Sequence, residues 1–158
     1  MIKLIKLALA AGLTLTIFAT ALGSTDPWMT SYDAAVKVAK KSGKPIMVDF
    51  TGSDWCSWCM KLHEEVFNKP EFKKWAAKNV VLLELDFPHQ TQQPKELADQ
   101  NMRIERKYHS MIEGFPTILF LNADGTVFGK YGYDHGGAAK WTENASRLLP
   151  LQKAVAKR

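Results

Sequence analysis

Apolar residues recur along this chain with two periods, and the alternation between them predicts the order of its elements. Tyr32, Ala35, Val36 and Ala39 share one face of a helix expected over 30–42. Asp33 sits in its first turn, where the helix dipole favours an acid, and Gly43 stops it. After Lys44-Pro45 comes Ile46-Met47-Val48-Asp49-Phe50, too continuously apolar for a half-exposed strand; it is expected in the middle of a sheet covered on both faces. A loop, Thr51-Gly52-Ser53-Asp54, then leads into a second helix marked by Leu62, Val66 and Phe67, which Asn68-Lys69-Pro70 terminates or bends.

Glu71 to Lys78 reads as a further helical turn or two carrying Phe72 and Trp75, and Val80 to Phe87 as the next buried strand. A polar loop over 88–93 precedes Pro94, well placed at the first position of a helix that runs to about Met111 with Leu97, Ile104, Tyr108 and Met111 inward. Glu113-Gly114 ends it. Thr117 to Leu121 and Thr126 to Tyr131, joined through Ala123-Asp124-Gly125, form an antiparallel pair. Gly136-Gly137 opens a last helix with Trp141, Ala145, Leu148 and Leu149 inward, broken at Pro150. Helices alternating with strands in this order predict an α/β domain, a mixed sheet between helices.

Composition changes the picture at the N-terminus. Lys3 and Lys6 precede an apolar run from Leu7 to Leu22, and Ala21-Leu22-Gly23 offers small residues of the kind a signal peptidase accepts. The run is about 16 residues, short of the ~20 that span a bilayer. We therefore expect a cleaved secretory signal over 1–23 and one mature domain over 24–158, periplasmic or secreted, with no membrane span after cleavage. Removing the leader takes two lysines and lowers the formal charge from +5 to +3. A surplus that small, with Lys40-Lys41 and Lys73-Lys74 as solvated helix faces and Lys153 to Arg158 as a basic tail, does not argue for nucleic acid.

The chain has two cysteines, and both stand in Trp55-Cys56-Ser57-Trp58-Cys59, where a strand hands over to a helix. Two thiols at this spacing can close a small disulfide ring, the first sulfur exposed and the second turned inward. A helix N-terminus aims unpaired N–H groups at Cys56. Lowering its pKa from ~8.5 to about 7 favours the thiolate by roughly 2 kcal/mol. Cys59 would then resolve the mixed disulfide. As a staple the bridge would achieve little, because it closes almost no chain. Thiol–disulfide exchange is the chemistry these residues suit.

With the strand, the Trp-Cys-x-x-Cys turn and Gly114-Phe115-Pro116-Thr117 located, the chain resembles the thioredoxin superfamily over essentially its whole mature length. The runs from Val48 to Cys56 and Glu64 to Phe67 are similar to exported thioredoxin-like proteins and to the periplasmic thioredoxin-like domain of the transmembrane disulfide reductase. The resemblance implies a thioredoxin-like fold: a central mixed four-stranded sheet flanked by helices, with an extra N-terminal helix. It also implies a cis bond before Pro116, and strand-like pairing of an extended substrate with the backbone at Phe115. Trp55 matches the family; Trp58 stands where relatives usually carry Pro or His. Both are expected to form an apolar platform beside the sulfurs.

Family members carry a buried acid six residues before the first cysteine, which moves a proton to and from the inner thiol. Asp49 is seven residues before it. The loop either absorbs the extra residue and leaves Asp49 equivalent in space, or the carboxylate turns elsewhere and is satisfied by loop N–H groups. The resemblance implies an exported thiol–disulfide oxidoreductase acting on protein cysteines, more reductase or isomerase than oxidase, needing no cofactor and served by a membrane or periplasmic redox partner. The alternative is a redox-inactive module that holds clients on Trp55, Trp58 and Phe115.

His63 lies four residues after Cys59, but about 10.5 Å from Cys56 along a helix axis, which disfavours a metal held by these three. Met60 stands where covalent haem attachment needs histidine. His89, His109 and His135 read as surface residues. Neither a phosphate loop nor a Ser-His-Asp set is evident.

Overall fold

A computed structural model describes residues 26–152. The expected leader over 1–23 and the basic tail over 153–158 lie outside the described residues.

Each element follows from the local rules that predict it. Helix α1, Tyr32–Ser42, begins where the Ser31 hydroxyl accepts the Ala34 N–H at 3.3 Å and ends at Gly43, left-handed at φ 70°. Strand β1 is Ile46–Thr51, buried at every position. Helix α2, Ser57–Leu62, continues directly as a π-helical turn over His63–Phe67. Helix α3, Pro70–Asn79, starts with Pro70 at its first turn, where the missing N–H costs nothing, and is longer than the sequence suggested. Strand β2 is Val81–Asp86, and helix α4 is Lys95–Tyr108, followed by a 3₁₀ turn over His109–Met111. Strands β3, Thr117–Leu121, and β4, Val127–Tyr131, close the hairpin, and helix α5 is Gly137–Leu148.

The four strands lie in the order β2-β1-β3-β4, with β1 parallel to β2 and antiparallel to β3, and β3 antiparallel to β4. The mixed α/β sheet is the expected one. Met29 adds an isolated parallel bridge beside Leu83, a contact the sequence did not signal.

Because successive strand side chains alternate, β1 feeds two cores. Ile46, Val48 and Phe50 pack under α1 and α4 with Leu83, Leu85 and Ile104. Met47 packs on the opposite side with Leu62, Phe67, Phe72 and Trp141, under α2, α3 and α5. Asp49 has the same parity as Met47, so its side chain enters the face covered by the helix that carries the cysteines.

Two expectations along α4 and its sequel fail. Met111 is 39% exposed, because the α-helix has already tightened into the 3₁₀ turn and its 3.6-residue period no longer applies. Asn101, not predicted inward, is buried and donates to the Asp86 carbonyl at 2.9 Å.

Candidate active site

The cysteines sit at the end of β1 because a tight loop turns the chain from strand to helix. Cys56 is the N-cap of α2 and donates its backbone N–H to the Gly52 carbonyl at 2.9 Å. Cys56 and Cys59 are disulfide-bonded with Cα atoms 5.2 Å apart, and the Cys56 sulfur accepts the Cys59 N–H at 3.2 Å. That N–H points at the Cys56 sulfur and would favour a thiolate there once the bridge opens, and helix polarity adds to the same preference.

The expectation of an exposed first sulfur needs correcting. Cys56 is 6% exposed and Cys59 1%, so the order is as expected while both count as buried. The cysteine is recessed at a helix cap between two tryptophans that take the solvent-facing positions: Trp55 is 41% exposed and Trp58 51%.

Neighbouring loops hold that rim in place. Ser53 gives both its N–H and its hydroxyl to the Asp86 carboxylate, at 2.8 and 2.6 Å. Asp54 accepts the N–H groups of His89, Gln90 and Thr91 at 2.8–2.9 Å, and these donors hold its pKa down at about 2. The Trp55 indole donates to the Phe87 carbonyl at 2.7 Å, and its ring stacks on His89 at 4.4 Å. Beneath it Gly52 is obligatory, since a Cβ there would fall 2.4 Å from the indole. His89 is thus exposed, as expected, but it has a partner that sequence reading did not supply.

Across the disulfide, the Phe115–Pro116 peptide is cis, and the Phe115 ring lies 5.8 Å from that of Trp55. Trp58, Phe115 and Pro116 line a shallow groove with Tyr133 and His135. The Trp58 ring leans on Tyr133 at 5.2 Å, with Lys61 above it at 5.3 Å. All four residues expected to receive a substrate therefore gather at one rim.

Behind the disulfide lies an arrangement the sequence did not reveal. Asp49 is fully buried; its Oδ2 meets His63 Nε2 at 3.1 Å, and its Oδ1 has no hydrogen-bond partner among the described residues. The alternative in which loop N–H groups satisfy this carboxylate is therefore wrong: the partner is an imidazole. Parallel pairing sets Asp49 beside Glu84 on the same face, and Glu84 Oε2 lies 3.8 Å from His63 Nε2. Among the described residues these three form the one group of His, Cys, Asp and Glu gathered closely enough to hold a cation, with donor atoms within 4.8 Å.

Burial raises the Asp49 pKa, and the hydrogen bond from His63 offsets part of that rise. Burial would lower the pKa of His63, but Asp49, Glu84 and Asp26 outweigh it and the pKa is raised. Glu84 is pushed up to about 7, chiefly by burial, with His63 pulling the other way. Sequence signals for this cluster exist but are faint. His63 follows Cys59 by one helical turn, and Glu84 is an acid flanked by leucines in an otherwise apolar strand that ends at Asp86.

A dithiol-capable pair capping a helix, a cis-proline loop opposite and a four-stranded mixed sheet define a thioredoxin-superfamily thiol–disulfide oxidoreductase. The family model of the thioredoxin-like domain matches residues 32–138, and the chain belongs to that family. It is 34% identical over 122 residues to the disulfide bond reductase DsbH of Chlamydia pneumoniae, a match covering 77% of this chain and 72% of that one. The solved DsbH oxidoreductase superposes with a TM-score of 0.74 at 32% identity, covering 90% of this chain and 95% of that structure. The thiol:disulfide interchange protein DsbD of Klebsiella pneumoniae is 33% identical over 88 residues, 56% of this chain but only 13% of that protein.

Proposed function

We propose that this protein is an exported disulfide reductase that opens disulfides in client proteins, with Cys56 as nucleophile and Cys59 as resolving thiol. The observation that carries the reading is the Cys56–Cys59 bridge at the cap of α2, beside the cis Phe115–Pro116 peptide and two exposed tryptophans. Reduction, rather than isomerisation or oxidation, is supported by the similarity to a protein named as a disulfide bond reductase. Export is supported by the basic and then apolar start of the sequence. Among the described residues no helix is long and apolar enough to cross a membrane. Returning the oxidised bridge to the dithiol form requires an electron donor, and a membrane or periplasmic redox partner fits an exported protein.

In the reaction, the Cys56 thiolate attacks a client disulfide, and one client sulfur leaves with the bonding pair. Cys59 gives up its proton and attacks the Cys56 sulfur; the Cys56–Cys59 bond forms and the second client sulfur departs as a thiolate. The client gains two electrons and the pair loses them. Asp49, buried on the face beneath α2, is the base that takes the Cys59 proton, and its raised pKa suits that task. Trp55, Trp58 and Phe115 hold an extended, loosely folded client while Pro116 shapes the loop against which it lies.

Reduction of insulin by the dithiol form tests this directly. Cys56→Ser abolishes it, and Cys59→Ala accumulates mixed disulfides with clients. Equal activity of the Cys56→Ser variant and the native chain would leave only a client-holding role. Equilibration in glutathione buffers gives the direction: a reductase has a potential near the reducing end of the roughly −270 to −120 mV span of its relatives.

A further inference from the structure

The client groove and the opening behind the resolving cysteine share no residue. The groove is lined by Trp58, Phe115, Pro116 and the segment after β4. The rear cleft, of about 280 Å³, is lined by Cys59, Met60, His63, Glu64, Asn68 and Glu84. A client seated on Trp58, Phe115 and Pro116 would fill the groove and touch none of the residues that line the rear cleft. Asp49, having no exposed surface, has no direct contact with water through which to lose or regain a proton. Among the described residues its one side-chain partner is His63, whose ring is 27% exposed in that cleft.

Local backbone geometry aims the imidazole. The helix loosens into a π turn at His63, whose carbonyl accepts the Asn68 N–H at 2.8 Å, five residues on. Trp28 stacks on the ring from outside at 6.1 Å and 30°, and Phe67 meets it edge-on at 5.0 Å. Asp49 of β1 and Glu84 of β2 face its Nε2 from the sheet. The other charged groups around it are Asp86 of β2, Glu64 on its own turn, and Asp26 and Lys73 across the neighbouring cleft.

We propose that His63 is the positioning residue that passes protons between buried Asp49 and solvent through the rear cleft, steadied by Glu84, so that Cys59 exchanges its proton while a client covers the front. This rests on the exchange reaction given above. One proton is shared between Asp49 Oδ2 and His63 Nε2. When Cys59 attacks Cys56, its thiol proton goes to Asp49, whose Oδ1 is free to accept it. The imidazolium then releases one proton to cleft water, and the pair again shares a single proton. During reduction of the bridge by an electron donor the same path runs inward. No co-reactant other than the thiols and water is needed.

The test is His63→Gln, which keeps an amide donor for Asp49 but cannot titrate. Its rate of client release from the Cys56 mixed disulfide is followed from pH 6 to 9, beside the rate of first attack on the client. Release is expected to slow at least about tenfold at neutral pH and to lose its dependence on the histidine titration, with the first attack unchanged. Free imidazole should restore release in His63→Ala. An unchanged release rate, or a loss of equal size at every pH without imidazole rescue, overturns the proposal.

A second measurement needs neither variant nor client. The His63 ring is titrated by NMR in the native chain, oxidised and after chemical reduction. The titration midpoint should differ between the two states; identical midpoints overturn the proposal. A native chain unable to reduce insulin would count against the proposed function, while the NMR titration would still report on the path.

Discussion

Among the described residues, the face of the sheet beneath α2, α3 and α5 is aromatic and contains a buried carboxylate, whereas the face beneath α1 and α4 is largely aliphatic and contains none. On the first, Phe67 and Phe72 lie 4.6 Å apart with Trp141 edge-on to both at 5.6 Å, and the Trp141 indole donates to the Gly132 carbonyl at 2.9 Å. On the second, the polar feature is a tyrosine pair: the Tyr32 and Tyr108 hydroxyls are 3.3 Å apart, and Tyr108 donates to the Gly125 carbonyl at 2.9 Å. Both faces hold the sheet; one also holds an acid whose pKa burial has raised. On the first face a costly buried carboxylate sits beneath a wall of rigid rings, where the proposed exchange needs a proton to move; on the other the buried polar groups are hydroxyls that bond to each other and to a backbone carbonyl.

Truncations in the two cores should produce the largest losses and should not distinguish the faces. Phe72→Ala and Phe50→Ala, both at fully buried rings, should each cost about 3–5 kcal/mol in chemical denaturation. A much smaller loss for Phe50→Ala would mean that the second core contributes little.

Asp49→Asn should separate the faces. If Asp49 is the general base proposed above, exchange should slow on the order of 10²-fold, read from insulin reduction. Stability should rise by about 1–3 kcal/mol at alkaline pH, because a partly unsatisfied buried carboxylate is replaced by a neutral amide. The raised folded pKa means that the native state binds more protons than the unfolded state, so native stability falls as pH rises, and the advantage of the variant grows with pH.

Glu84→Gln probes the same balance more weakly. The Glu84 carboxyl titrates near 7 in the folded chain against 4.5 for the ordinary group, so native stability should decline between those values. The slope contributed is at most about 1.4 kcal/mol per pH unit. In Glu84→Gln that part of the decline should disappear from melts taken across the window. Smallest is Tyr108→Phe on the opposite face, expected to cost about 1 kcal/mol for its lost hydrogen bonds, with no effect on exchange or its pH profile. A changed profile there would show that the two faces are coupled.

Most elements were legible because each is written in local periodicity and punctuation. Gly43 closes α1, Asn68-Lys69-Pro70 separates the second helix from the third, and Ala123-Asp124-Gly125 turns β3 into β4, within a residue or two of where the structure places them. The chemistry of the cysteines was equally legible from their spacing and their place at a strand-to-helix turn. Less legible were features that need elements distant in sequence. A strand buried at all six positions does not say which parity faces which helices, so the side occupied by Asp49 was undetermined. The pairing of β1 with β2 that sets Glu84 beside Asp49, the hydrogen bond of His63 to Asp49, and the bond from the Trp55 indole to the Phe87 carbonyl that fixes the rim all arise from such meetings.

By itself the sequence determined the alternation of helix and strand and the helix cap that carries the sulfurs, with Trp55 and Trp58 beside them. These depend on residues within a few positions of one another, where backbone propensity and capping act. Only the tertiary structure decided what surrounds the buried acid. The proton affinity of Asp49 depends on how far water is excluded and on which charges stand a few ångströms away, and those neighbours come from α2, its π turn and β2, brought together only by folding.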